Sequence, residues 1–171
     1  MQTKRVQVLP YSEQWAAEFL RLREHLAAAL GAAALRIEHV GSTSVEGLAA
    51  KPILDVDVVI KDAAAFTGVK RLLEQAGYRH EGDLGIVGRE AFRYDDPRGF
   101  MAHHLYVCAQ DAAELHRHLT FRNYLRAHPR ERDGYAAVKL SAAARFPEDI
   151  DGYMAAKAPC ITEIYKKCGL I

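Results

Sequence analysis

The sequence predicts an α+β fold in which a small mixed β-sheet is flanked by helices and followed by a C-terminal helical segment. Three observations carry that expectation. Short apolar runs over 36–40, 53–60, 90–94 and 101–108 read as strands. Amphipathic stretches over about 13–30 and 62–76 separate the first of them. Everything beyond residue 110 reads as helix, over about 111–127, 130–144 and 149–167. This order segregates strands from the helical tail, as α+β chains do. At 171 residues the chain fits one domain, with a sheet core over about 1–110 and the helical tail over about 111–171.

The elements follow from local chemistry. Ser12 is placed to cap the first helix, Trp15, Phe19, Leu22, Leu26 and Leu30 supply its apolar face, and Gly31 closes it. Arg36–Val40 is a short strand running into a Gly-Ser turn. Residues 45–51 suit a short helical turn ended by Pro52, because the residue before proline avoids the helical region. Asp62 caps the next helix and Gly77 ends it. Between Tyr78 and Pro97, glycines at 82, 85 and 88 suggest a hairpin or mobile loop leading to a strand over Glu90–Tyr94. Met101–Cys108 is the last strand. Pro129 and Pro147 punctuate the tail, and Pro159 is expected to kink or divide its last helix.

Composition narrows the function classes. Half the residues are hydrophobic, 26% are charged and the net charge is +1, so no global field favours nucleic acid or a membrane surface. No apolar run approaches the ~20 residues that span a bilayer, and Met1–Val8 lacks the apolar core of a signal peptide. Cys108, Cys160 and Cys168 form neither a Cys-x-x-Cys pair nor a zinc spacing. They read as reduced packing residues of a cytoplasmic protein.

Chemistry concentrates in His39-Val40-Gly41-Ser42-Thr43-Ser44 and the following strand Ile53–Ile60. Side chains alternate along a strand, so Asp55 and Asp57 share one face, their Cα atoms roughly 6.6 Å apart. Two carboxylates so placed repel unless a cation or proton relieves them. A divalent metal carried by a nucleotide phosphate is the natural partner, with the small-residue turn holding phosphate. On the helical tail, Arg122 falls inside an apolar arc made by Leu115, Phe121 and Leu125, with His118 beside it. Lys139 lies with Tyr135, Ala136 and Ala143, and Lys157 with Tyr153, Cys160, Ile161 and Ile164. Such cations either stretch their stems along the core edge or face an anion. Three in succession favour an anion-binding wall opposite Asp55 and Asp57.

The run from Glu38 to Asp57 closely resembles the signature of the GrpB-like family, as do His103-His104-Leu105, Phe121–Pro129 and Tyr135-x-x-Val138-Lys139. The resemblance covers nearly the whole chain, in order. It implies a branch of the nucleotidyltransferase superfamily with the polymerase-beta-like fold. By that resemblance Gly41 and Ser42 hold nucleotide phosphates, while Asp55 and Asp57 bind Mg²⁺ or Mn²⁺. It also implies a functional link to coenzyme A biosynthesis, since related domains occur fused behind dephospho-CoA kinase.

One departure from the wider superfamily bears on catalysis. Its third acid, expected on a neighbouring strand, is missing from Ala102–Val107, where His104 and Tyr106 share a face instead. His104 is therefore a candidate third ligand or base; Asp83, Glu90, Asp95 and Asp96 are possible substitutes from nearby segments. Lys51 and Arg93 are further candidate phosphate ligands, with a solvated turn lysine as the alternative for Lys51. Ser44 lacks a nucleophile elbow, and there is neither a Walker A loop nor a dinucleotide glycine motif. His116, His118 and His128 lack zinc-site spacing, and Arg126 and Arg130 read as surface charges.

The expectation is a Mg²⁺-dependent nucleotidyltransferase-like enzyme acting on an unknown acceptor. Its competitors are a non-catalytic module for a nucleotide or CoA-type phosphate ligand, and an interaction domain for an acidic partner.

Overall fold

A computed structural model describes residues 5–96 and 98–171. Met1–Lys4 of the N-terminal stretch and Pro97 at the end of the 78–97 segment lie outside the described residues. Five strands, β1 (Arg36–Val40), β2 (Leu54–Ile60), β3 (Tyr78–Gly82), β4 (Arg89–Tyr94) and β5 (His103–Ala109), form one sheet in the order β1-β2-β5-β4-β3. β2 and β5 run parallel, and the other neighbours are antiparallel. The helices are α1 (Glu13–Leu30), α2 (Phe66–Gln75), α3 (Ala113–Ala127), α4 (Pro129–Arg145) and α5 (Ile150–Lys167). The mixed α+β architecture is the one expected.

The sheet has two unlike faces. Leu54, Val56, Val58 and Ile60 of β2 join Phe92, Leu105 and Val107 under α1 and α2, where Leu22, Leu26 and Leu73 are fully buried. That apolar layer is the main core, and each buried leucine there contributes about 1.5–3 kcal/mol relative to exposure. The opposite face carries Asp55, Asp57, His104 and Tyr106, fixed together by the register Asp55↔His104 and Asp57↔Tyr106. α3 covers one end of it through Leu115, which packs on Val59 and Cys108. The other end is left to α4 and α5.

Local chemistry accounts for most boundaries. Ser12 caps α1 by accepting from the Gln14 N–H at 3.2 Å, and Asp149 caps α5 by accepting from Gly152 at 3.0 Å. Two expectations need correction, at 45–51 and at Pro159, and the alternative left open at 78–97 is decided. The short helical turn lies at Ser42–Ser44, not at 45–51, because Gly41 at φ +71° turns the chain directly into it. Tyr78–Gly82 is a full strand pairing with β4, so the 78–97 segment is a hairpin with its glycines at the tip. α5 runs continuously through Pro159 and is not divided there. No helix among the described residues is long and apolar enough to cross a membrane.

Candidate functional site

The site is built where β1 delivers the chain to Gly41. With φ +71° and ψ −174°, Gly41 occupies backbone space that residues with a side chain avoid, and a Cβ there would collide with Asp55 Oδ2. The loop therefore lies directly on the Asp55 carboxylate. Ser42–Ser44 then form a single 3₁₀ turn, and the Ser44 hydroxyl donates back to the Gly41 carbonyl. Val45 and Leu48 anchor the loop's far end by packing on Leu125, Tyr135 and Ile164 of the tail.

A cavity of about 240 Å³ opens between this loop, the β2 end and α4–α5. Ser42, Lys51, Asp55, His104, Lys139 and Lys157 line it, with Tyr153 among their neighbours. Lys139 is buried, its ammonium donates to Ser42 Oγ at 2.7 Å, and it lies 4.9 Å from the Tyr135 ring centre. Lys51 and Lys157 flank the Tyr153 ring at 4.9 and 4.8 Å. Burial first, then the charge of Lys157, pushes the Lys139 amine down to about 7. Burial and Lys51 together bring Lys157 down to about 8. Mutual repulsion among three lysines around one hollow is the electrostatic mark of a place for an anion.

The two acids have unlike surroundings. Asp55 faces the cavity, and its Oδ1 lies 3.0 Å from His104 Nδ1. An ionised carboxylate only accepts, so Nδ1 carries a proton, and Nε2 is an acceptor when the ring is neutral. This hydrogen bond is the main cause of a raised His104 pKa. Asp57 is fully buried, with Oδ2 at 2.6 Å from His118 Nδ1 and Oδ1 without a hydrogen-bond partner. His118 Nε2 lies 3.2 Å from Glu114, so both ring nitrogens face carboxylates. Burial works against the His118 charge, but Asp57 and Glu114 outweigh it and its pKa is raised. Burial likewise raises the Asp57 pKa, opposed by His118.

Two predicted cations turn elsewhere. Arg122 Nη1 donates to Glu38 at 2.7 Å and to the His39 carbonyl at 2.9 Å, behind the loop. Arg93 is exposed on β4 and pairs with Asp95 at 2.6 Å. Neither lines the cavity. Arg126 is exposed, as expected, and also donates from Nε and Nη2 to the Ser44 carbonyl at 3.0 and 2.7 Å. Arg132 donates to the Glu46 carbonyl at 3.1 Å. Arg122, Arg126 and Arg132 thus hold carbonyls of β1 and the loop, while Ser42 faces the cavity. The pairing of His118 with Asp57 escaped sequence reasoning, although Glu114 and His118 stand four residues apart on the predicted helix 111–127. Arg89, whose guanidinium lies 4.3 Å over the Tyr106 ring, was also missed.

Comparison with known proteins establishes the family and the fold. A family model described as GrpB protein matches residues 5–167. The chain belongs to the GrpB family. Among its relatives is the UPF0157 protein YqkA of Bacillus subtilis, 34% identical over 154 residues, which cover 90% of this chain and 44% of YqkA. The chain thus spans less than half the length of that relative. A dephospho-CoA kinase of Mycolicibacterium paratuberculosis is 29% identical across 95% of this chain and 46% of its own. The crystal structure of the conserved protein GrpB from Enterococcus faecalis superposes with a TM-score of 0.83 at 34% identity, covering 95% of this chain and 96% of that one. The structure of Cid1 with its short product ApU gives a TM-score of 0.56 at 16% identity, covering 77% of this chain and 42% of that one. The chain therefore shares its fold with Cid1 over that region.

Proposed function

We propose that the lysine-lined cavity binds the phosphate chain of a nucleoside triphosphate and that the protein transfers the nucleoside monophosphate to an acceptor. The observation that carries this reading is the set of three lysines and Ser42 facing Asp55 and His104 across one hollow. Lys51, Lys139 and Lys157 neutralise the phosphates, Ser42 offers its hydroxyl and Gly41 brings the loop against Asp55.

The donor set fits a divalent cation. Asp57 Oδ1 is a buried oxygen without a hydrogen-bond partner, and Asp55 faces the cavity. Among the described residues no group of three or more His, Cys, Asp and Glu is placed to hold a metal on its own. Mg²⁺ is commonly held by only one or two carboxylates and completes its shell with water and substrate phosphate. Held by Asp55 and Asp57, such an ion supplies charge neutralisation at the phosphate oxygens.

In the transfer itself an acceptor oxygen bonds to the α-phosphorus. The bond from that phosphorus to the oxygen bridging to the β-phosphate breaks, and pyrophosphate leaves. His104 Nε2 takes the acceptor proton, its ring held by Asp55. The identity to a protein named dephospho-CoA kinase adds coenzyme A precursors to the acceptors and ligands worth testing.

Asp55→Asn with Asp57→Asn is expected to abolish Mg²⁺-dependent ATP or GTP binding; unchanged calorimetric affinity would sink the assignment. A second reading, a module that binds a phosphate ligand without turnover, is favoured by His104 and Tyr106 standing opposite the acids where a third acid is expected. Incubation with α-labelled nucleotides and Mg²⁺ or Mn²⁺ separates the two, because only a transferase releases pyrophosphate or labels an acceptor.

A further inference from the structure

Beyond the cavity, the polar face of the sheet continues along β5 to a second cation. Arg89 opens β4 and pairs in register with Cys108, which puts it on the same face as Asp57, His104 and Tyr106. Its guanidinium carbon stands 4.3 Å above the Tyr106 ring centre. The Tyr106 ring is in turn 6.3 Å from that of His104. Arg89 is only partly exposed. Among the described residues its side chain makes no hydrogen bond or ion pair, and its Nε is buried without a partner. The contrast with Arg122, Arg126 and Arg132 is direct, since each of those donates to a carboxylate or carbonyl at 3.1 Å or less.

A guanidinium has five N–H donors in a rigid fork, and a half-buried one with idle donors is an incomplete arrangement. Its place over the tyrosine ring is a cation–π contact that leaves those donors unused. A planar or tetrahedral anion completes such a fork. The acid pair of Asp57 and Glu114 does not complete it, because both are turned to His118.

We propose that Arg89, held over the Tyr106 ring, binds an anionic group of the acceptor, a carboxylate or a phosphate, and so presents the acceptor's hydroxyl to His104. The acceptor class is then a small anionic metabolite, not a neutral sugar. This inference rests on the reading of the lysine cavity as the nucleotide site.

The test saturates the protein with a non-hydrolysable ATP analogue and Mg²⁺, then titrates inorganic phosphate and, separately, succinate. The readouts are calorimetry and the Nε–Hε resonance of Arg89. A saturable shift of that resonance with either anion, and affinity weakened by roughly tenfold or more in Arg89→Gln, is the expected result. Response to phosphate alone or to succinate alone assigns the anionic group. If the analogue binds and neither anion moves the Arg89 resonance, this inference is overturned and the cavity reading stands. If the analogue itself does not bind, both fall. The wild-type resonance serves as the readout should Arg89→Gln fail to fold.

Discussion

The Lys139 ammonium donates to Ser42 Oγ at 2.7 Å, tying α4 to the loop that follows Gly41. The contact lets a residue from the helical tail set the charge of a turn built by the sheet. Because burial and Lys157 bring the Lys139 amine down to about 7, a phosphate entering above that pH must restore a proton to it. Affinity for ADP is therefore expected to be steady below about pH 7 and to fall above it by up to roughly tenfold per unit. Calorimetry in buffers of different ionisation heat should show proton uptake at alkaline pH, reduced in Lys139→Met. A pH-independent affinity that the substitution leaves untouched would place Lys139 outside the binding process.

His39 titrates in the opposite setting. It is buried, stacks on Phe19 with ring centres 4.5 Å apart, and shares a 2.9 Å hydrogen bond with Thr43. Burial, with the nearby Arg126 charge, lowers its pKa from 6.5 to about 4. Between those values the unfolded chain binds a proton that the folded protein refuses. Stability is therefore fully present above about pH 6.5 and falls as pH drops toward 4, by about 2–4 kcal/mol from this group. Urea midpoints across that window should decline less steeply in His39→Leu than in the wild type. Equal slopes would count against a neutral buried His39.

Gly41 is the position where the loop tolerates least change. Alanine there meets both a positive φ and the Asp55 carboxylate. The backbone cost alone is about 1–3 kcal/mol, and relief of the clash must move Asp55 or the loop. Gly41→Ala is expected to lower the urea midpoint and to weaken nucleotide binding further than that loss explains. Gly85→Ala, also at positive φ but with open space around it, should cost stability without touching binding.

How far the sequence goes is seen in these residues. Alternation on β2 was enough to put Asp55 and Asp57 on one face, because strand periodicity needs no tertiary information. Helical periodicity likewise identified Arg122, Lys139 and Lys157 as cations on inward faces. It could not say what each met. Lys139 and Lys157 reach the cavity, whereas Arg122 reaches Glu38, and that difference lies in how the three tail helices pack. The same limit hid the partner of Asp57, since His118 stands 61 residues further along the chain. Arg89 escaped for another reason: glycine-rich sequence before it obscured the hairpin register that brings it onto Tyr106.

The two kinds of cation should separate experimentally. Arg122 sits behind the loop, with a carboxylate and a carbonyl as its partners. Arg122→Met removes the donor to Glu38 Oε2 and to the His39 carbonyl, while Arg36 still holds Glu38 Oε1 at 3.3 Å, so the loss is about 1–3 kcal/mol of stability. Nucleotide affinity in the remaining folded protein should stay within about twofold, because Arg122 does not line the cavity and no cavity cation is lost. Lys157→Met is expected to do the reverse, easing repulsion in the free protein while weakening nucleotide binding by roughly tenfold or more. Thermal unfolding and calorimetry on both variants decide it; a binding loss in Arg122→Met larger than in Lys157→Met would reverse the assignments.

Asp57 and His118 form the most buried charge pair of the site, at 2.6 Å with the acid fully enclosed. Removing one partner leaves an uncompensated charge in the interior, whereas removing both leaves an apolar gap. His118→Leu should therefore destabilise by about 3–5 kcal/mol, and Asp57→Leu should strand the imidazolium on Glu114 alone, with a smaller loss. Asp57→Leu/His118→Leu together should be more stable than His118→Leu. The coupling from the double-mutant cycle is expected at about 1–3 kcal/mol. Additive losses would mean that His118 does not carry the neutralising charge, leaving Asp57 to be protonated in the folded protein. In that case a single substitution, Asp57→Asn, should be close to neutral for stability, which the same urea titrations would reveal.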